Sequence, residues 1–108
     1  MSSKSANLEI VGIFKECIPI FNVLADEERQ SIMIILDENE GGINVKDLSE
    51  KMTLSRPAVS HHLKVLRKSG IIDFQKRGTE NYYFLTLKNS VEELKKLISI
   101  IELNCELK

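Results

Sequence analysis

With 108 residues, 43% of them apolar and 29% charged, the chain has the make-up of one soluble globular domain, near the size at which a partner subunit helps complete a core. Its two cysteines, Cys17 and Cys105, lie far apart with no C-x-x-C spacing, which excludes a disulfide framework and a zinc-finger pattern and suits a reducing compartment. The net charge is only −1, but residues 51–83 carry seven Lys and Arg against two acids, while the rest carries eight against fourteen, a basic segment on an acidic body that can present one positive face to phosphate.

Residues 1–7 are polar and read as a flexible tail. No hydrophobic run after them is long enough for a signal peptide or membrane span, so a cytoplasmic setting with no membrane partner is expected. The first helix is expected from near Asn7 to Ile18, where Pro19 disfavours continuation. Asp26 suits the N-cap of a second helix, with Glu27 and Glu28 favourable against its dipole. The run Ile32-Met33-Ile34-Ile35-Leu36 is apolar nearly all round, as in a central buried helix, and Asn39-Glu40-Gly41-Gly42 ends it.

Asn44 is expected to cap a third helix, with Asp47 at the capping-box position and Val45, Leu48 and Met52 at helical spacing. Met52-Thr53-Leu54 then forms a very short turn into a fourth helix, and two short helices so joined make a helix-turn-helix unit. After Gly70 the period changes. Ile72, Phe74 and Lys76 alternate with Asp73 and Gln75, Arg77-Gly78-Thr79-Glu80 makes a turn, and Asn81 to Leu85 returns as a strand, giving a β-hairpin with Lys76, Arg77 and Thr79 at its tip. Ser90, with Glu93 completing a capping box, is expected to open the last helix. Leu94, Leu97, Ile98, Ile101 and Cys105 share one stripe of it, which is expected to bury against a second copy. The fold class is therefore mainly α with a small β-hairpin, in one domain.

The fourth helix is the most informative element. Ser55 suits its N-cap, Pro57 falls in the first turn where its missing N–H costs little, and Gly70 suits the residue after its end. Val59, Leu63 and Leu66 fall on one side at 100° per residue. Arg56, Pro57, Ser60, His61, Lys64, Arg67 and Lys68 fall on the other. A narrow helix edge rich in basic and hydrogen-bonding groups suits the major groove of DNA. Arg56 is the candidate for a bidentate pair with guanine. Ser60 and His61 are candidates for polar contacts, His61 donating more strongly when protonated below about pH 6.5, and Ser55 at the start of the helix is counted with the DNA-binding candidates. Lys64, Arg67, Lys68, Lys76 and Arg77 are candidate phosphate partners. His62 lies nearer the apolar side and reads as a helix-packing residue.

From Leu24 to Leu85 the chain resembles the ArsR-type winged helix-turn-helix repressors. The resemblance is carried by Leu24-Ala25-Asp26, Val45-x-x-Leu48-Ser49, Leu54-Ser55, Val59-Ser60-His61-His62-Leu63-Lys64-Val65-Leu66, Ser69-Gly70-Ile71-Ile72 and Tyr82-Tyr83-Phe84-Leu85. It implies a winged helix-turn-helix of five helices and a two-stranded wing. It also implies a DNA-binding repressor with Arg56, Ser60, His61 and Lys64 on the recognition helix and Lys76, Arg77 and Thr79 on the flanking backbone or minor groove. Family members are typically homodimers that pair through their first and last helices, here 8–18 with Leu8, Val11 and Phe14, and 90–105 with Leu94, Leu97, Ile98, Ile101 and Cys105. Two-fold symmetry then implies a near-palindromic operator in double-stranded DNA.

Two family metal sites have no counterpart. The positions matching the cysteines of the third helix are Asn44, Lys46 and Ser49, and no histidine follows His62, so neither metal nor cofactor is expected. The effector is not legible. Two alternatives stand beside the repressor: a winged-helix protein-interaction module that does not read DNA, and a regulator that uses Cys17 and Cys105 as a thiol switch. An enzyme is the least expected class, because there is no Gly-rich phosphate loop and no nucleophile–base–orienter set.

Overall fold

A computed structural model describes the backbone of residues 4–104 and the side chains of residues 8–104. Helix α1 spans Lys4–Leu24, α2 Glu27–Glu38, α3 Val45–Glu50 and α4 Arg56–Lys68; strands β1, Ile72–Arg77, and β2, Glu80–Leu85, follow, and α5, Lys88–Asn104, closes the chain. Three of the expected caps form. Asp26 accepts from the Arg29 amide at 3.1 Å, Asn44 from the Asp47 amide at 2.8 Å and Ser55 from the Ala58 amide at 3.3 Å, each satisfying one orphan donor of a first turn.

The first helix differs from expectation at both ends. It is already helical at Lys4, inside the stretch read as a tail, and it runs on through Pro19 to Leu24. An interior proline loses one backbone bond and costs about 3 kcal/mol. Pro19 is exposed, and continuation buries Ile20 and Val23 in the main core. Burying two such side chains contributes about 1.5–3 kcal/mol each, enough to offset the break.

The main core is built from Ile20 and Val23 of α1, Ile32 and Leu36 of α2, Leu48 of α3, Val59, Leu63 and Leu66 of α4, and Ile43, Ile71 and Ile72. Helix α2 is less enclosed than its sequence suggests, because Ile34 is 62% exposed. A second, smaller core joins α1 to α5 through Ile13, Cys17 and Leu97, with Leu94, Ile100 and Ile101 packed against it.

The two strands are antiparallel, with Ile72 opposite Leu85 and Arg77 opposite Glu80. Gly78 at φ +64, with no positive φ at Thr79, gives the two-residue hairpin turn in which glycine takes the first central position. On the other edge of β2, Ile43 pairs with Tyr83 through bonds of 3.1 and 2.9 Å. Helix α5 begins at Lys88, not Ser90: the Leu87 carbonyl accepts the first helical bond from Val91 at 2.8 Å, and Ser90 is buried inside the first turn. Leu87 packs on the main core, which fixes where the chain must turn.

Candidate nucleic-acid interface

Helix α4 presents its two faces as the periodicity requires. Val59, Leu63 and Leu66 are fully buried, while Arg56, Ser60, His61, Lys64, Arg67 and Lys68 are exposed. The cap at Ser55 and the φ of +84 at Gly70 fix both ends of the helix, so these side chains project from a rigid rod. Between α4 and the wing lies a cleft of about 860 Å³, with Ser60, Lys64 and Lys68 on one wall and Phe74 and Tyr83 on the other. Lys76 and Thr79 are exposed near the wing tip.

His62 turns inward, as a packing residue. Its Nδ1 lies 3.4 Å from Nη1 of Arg29. A guanidinium can only donate, so this contact is a hydrogen bond in the tautomer whose Nδ1 accepts. The same guanidinium donates to the Asn22 carbonyl at 3.3 Å and lies 3.7 Å from the Asp26 carboxylate. The Arg29 amide, and then the guanidinium charge, hold the Asp26 carboxyl below its ordinary range.

Two of the candidate phosphate partners are engaged within the chain. Arg67 donates from Nε to Asp73 at 3.2 Å and lies 4.1 Å from the centroid of the Phe74 ring. It braces the end of α4 against β1. The Phe74 amide, and second Arg67, hold the Asp73 carboxyl below its ordinary range. Both partners of the pair are about half exposed, so water screens it and it adds little to stability. Arg77 donates from Nη2 to the Gly41 carbonyl at 2.6 Å and lies over the Tyr82 ring. The contact between Arg77 and Gly41 was not legible in the sequence, since the two residues are 36 apart.

The apolar candidates for self-association divide. Leu8, Val11 and Phe14 of α1 and Ile98 of α5 are exposed. Leu97, in contrast, is only 5% exposed and packs with Ile13 and Cys17 of the same chain, with Leu94 and Ile101 beside them. The stripe of α5 therefore closes chiefly on α1 of its own chain, a correction to the expectation that all of it meets a second copy. Ile18, the last residue of the helix expected from the sequence, and Phe21, beyond the expected stop at Pro19, are also exposed and were not among the candidates. The signal was present: Val11, Phe14, Ile18 and Phe21 are spaced 3-4-3, the interval of a helix–helix seam.

Cys17 is wholly buried, its thiol donates to the Glu93 carbonyl at 3.7 Å, and burial pushes its pKa up. A thiol so placed stays protonated and is a poor nucleophile. Cys105 lies outside the described residues. Among the described residues no three His, Cys, Asp or Glu side chains converge as a metal site would require, and no helix is long and apolar enough to cross a membrane.

A helix-turn-helix whose second helix bares a basic polar edge beside a two-stranded wing defines the winged helix-turn-helix class of DNA-binding regulators. The family model described as bacterial regulatory protein, arsR family, matches residues 26–73, the segment that holds α2, the helix-turn-helix and the entry to the wing. A helix-turn-helix transcriptional regulator of Methanocaldococcus jannaschii is 33% identical over 79% of this chain and 93% of its own length. The cadmium resistance transcriptional regulatory protein of Listeria innocua is 34% identical over 98% of this chain and 79% of its own. Among solved structures, an ArsR-like transcriptional regulator from a Rhodococcus species superposes with a TM-score of 0.74 at 27% identity, covering 83% of this chain and 81% of that one. The chain belongs to the ArsR family of bacterial transcriptional regulators.

Proposed function

We propose that this regulator is a homodimeric, sequence-specific repressor, cytoplasmic, that binds a near-palindromic operator with α4 in the major groove and the wing on flanking DNA. The observation that carries the reading is the outward edge of α4: Arg56, Ser60, His61 and Lys64 are exposed along one side of a capped helix whose opposite side is core. Arg56 and His61 are assigned to base edges or adjacent phosphates, Ser60 to a polar contact, and Lys64, Lys68 and Lys76 to phosphates. Arg67 and Arg77 act mainly as braces of the interface. Two copies related by a two-fold axis would read half-sites about one helical turn apart, or a multiple of it, and would repress by occupying grooves that other proteins need.

The dimer seam is assigned to the outer face of α1, with Leu8, Val11, Phe14, Ile18 and Phe21, together with Ile98 of α5. Its support is the exposure of these residues along a helix whose inner face is already used. No metal effector is assigned, since the position that matches a family cysteine at Asn44 is occupied by the cap of α3. The buried Cys17 argues against a thiol switch as the main function.

Gel-shift titration against genomic fragments at two salt concentrations tests the reading. Saturable, salt-sensitive binding is expected, and Arg56→Ala or His61→Ala should each weaken specific binding by about 1–3 kcal/mol. Absence of any such shift would favour the protein-interaction module, and full affinity in both variants would misplace the recognition edge.

A further inference from the structure

The two residues that flank the wing turn both reach back to the segment joining α2 to α3. Arg77 donates to the Gly41 carbonyl at 2.6 Å, and Glu80 accepts from Nδ2 of Asn44 at 3.0 Å through Oε2, the oxygen on which the Tyr82 hydroxyl also bears at 3.4 Å. Between these two ties, Ile43 pairs with Tyr83 in both directions. The approach is close. A Cβ built on Gly42, which holds φ +91, would lie 3.2 Å from both the Tyr82 Cβ and the Tyr83 carbonyl oxygen.

Asn44 is the hinge-pin of this arrangement. Its Oδ1 caps α3 by accepting from the Asp47 amide at 2.8 Å, while its Nδ2 donates to Glu80. Asn44 is only 7% exposed, so the bond to the carboxylate is shielded on one side and charge-assisted. Aspartate would cap α3 as well as asparagine, but it has no donor for Glu80. The planar amide is thus used at both ends, one for the helix and one for the wing.

We propose that Asn44, through Glu80, is a positioning residue that locks the wing to the helix-turn-helix, so that Lys76 and Thr79 meet DNA at a fixed distance from α4. The consequence for DNA rests on the operator-binding reading above; the lock itself does not. A two-stranded hairpin is marginal when left alone. Freed from the lock, the wing would have to be ordered anew on each binding event, and affinity would fall by that ordering cost.

The test is a pair of substitutions with reversed polarity. Asn44→Asp keeps the cap but sets a second carboxylate against Glu80. Melting temperature should fall by only a few degrees because the cap is kept, amide hydrogen exchange should quicken chiefly across residues 76–83, and DNA affinity should fall by about tenfold, the scale of one lost charge-assisted bond. Adding Glu80→Gln supplies a donor on the wing side, and should return both exchange and affinity to within about twofold of the starting protein. Glu80→Gln alone keeps an acceptor for Asn44 and should stay near the starting values. Unaltered wing exchange in Asn44→Asp, or no recovery in the double variant, would overturn the lock. If the starting protein binds no DNA, the operator reading fails, and the exchange measurements still decide the lock by themselves.

Discussion

Glu93 lies where α5 meets α1, close to Cys17, and its Oε2 is buried with no hydrogen-bond partner. The neighbouring Glu16 carboxyl, which favours a protonated, hydrogen-bonding form of Glu93, and then desolvation push its pKa above the ordinary glutamate range, against the opposing charge of Lys96. Two carboxyls can share such a bond only while one is protonated. The folded state therefore holds this proton more tightly than the unfolded chain. Its stabilising contribution is fully present below the ordinary glutamate pKa and is lost as pH rises through the raised one. Asp26 and Asp73 have the opposite sign: their contributions are present above the ordinary aspartate pKa and fade as pH falls through the lowered ones. Glu93→Gln supplies a permanent donor toward Glu16. Thermal melts should show a higher midpoint than the starting protein at about pH 7 and little difference at about pH 4. An equal shift at both pH values would point to packing in place of titration.

At the scale of elements, the recognition helix and the wing divide their cations between DNA and the protein itself. Lys76 is exposed near the wing tip, whereas Arg67 is held by Asp73 and lies over Phe74. Each phosphate neutralised by a lysine or arginine releases about one condensed counterion, so Lys76→Ala should reduce the slope of log affinity against log salt by about 1. Arg67→Ala should move that slope by much less, because its guanidinium is already paired. Salt titrations of the two variants on one operator fragment separate the roles. Equal changes of slope would return Arg67 to the phosphate contacts.

The described molecule is elongated, 54 × 25 × 21 Å, with a radius of gyration of 17.0 Å, against about 13 Å for a compact chain of this length. The cause is the long helix pair α1–α5, which carries its own small core away from the main one. Such a shape leaves one side of α1 apolar and in solvent, with Val11, Phe14, Ile18 and Phe21 all exposed. A stripe of this kind marks an interaction surface. The double variant Phe14→Glu and Ile18→Glu should therefore sediment as a monomer with an intact circular dichroism spectrum, and should lose cooperative binding to a two-half-site fragment. A dimer that persists in that variant would place the seam elsewhere.

Much of the DNA-facing helix could be read from the chain because everything that defines it is local. Ser55, Pro57 and Gly70 set its ends, and the 3.6-residue period of Val59, Leu63 and Leu66 sets its inner face. The hairpin turn at Gly78 and the caps at Asp26 and Asn44 were legible for the same reason. What tertiary structure alone decided was how competing local signals resolve and which distant groups meet. Pro19 is a stop signal by propensity, yet burial of Ile20 and Val23 outweighs it. Leu97 fits a seam with a second copy as well as a core within one chain, until α1 is seen to pack against it. The partners of Arg77 and Glu80 lie 36 residues away, a separation that carries no periodic trace. Short-range physics is written along the sequence; the winner among long-range contacts depends on where the folded backbone brings each side chain.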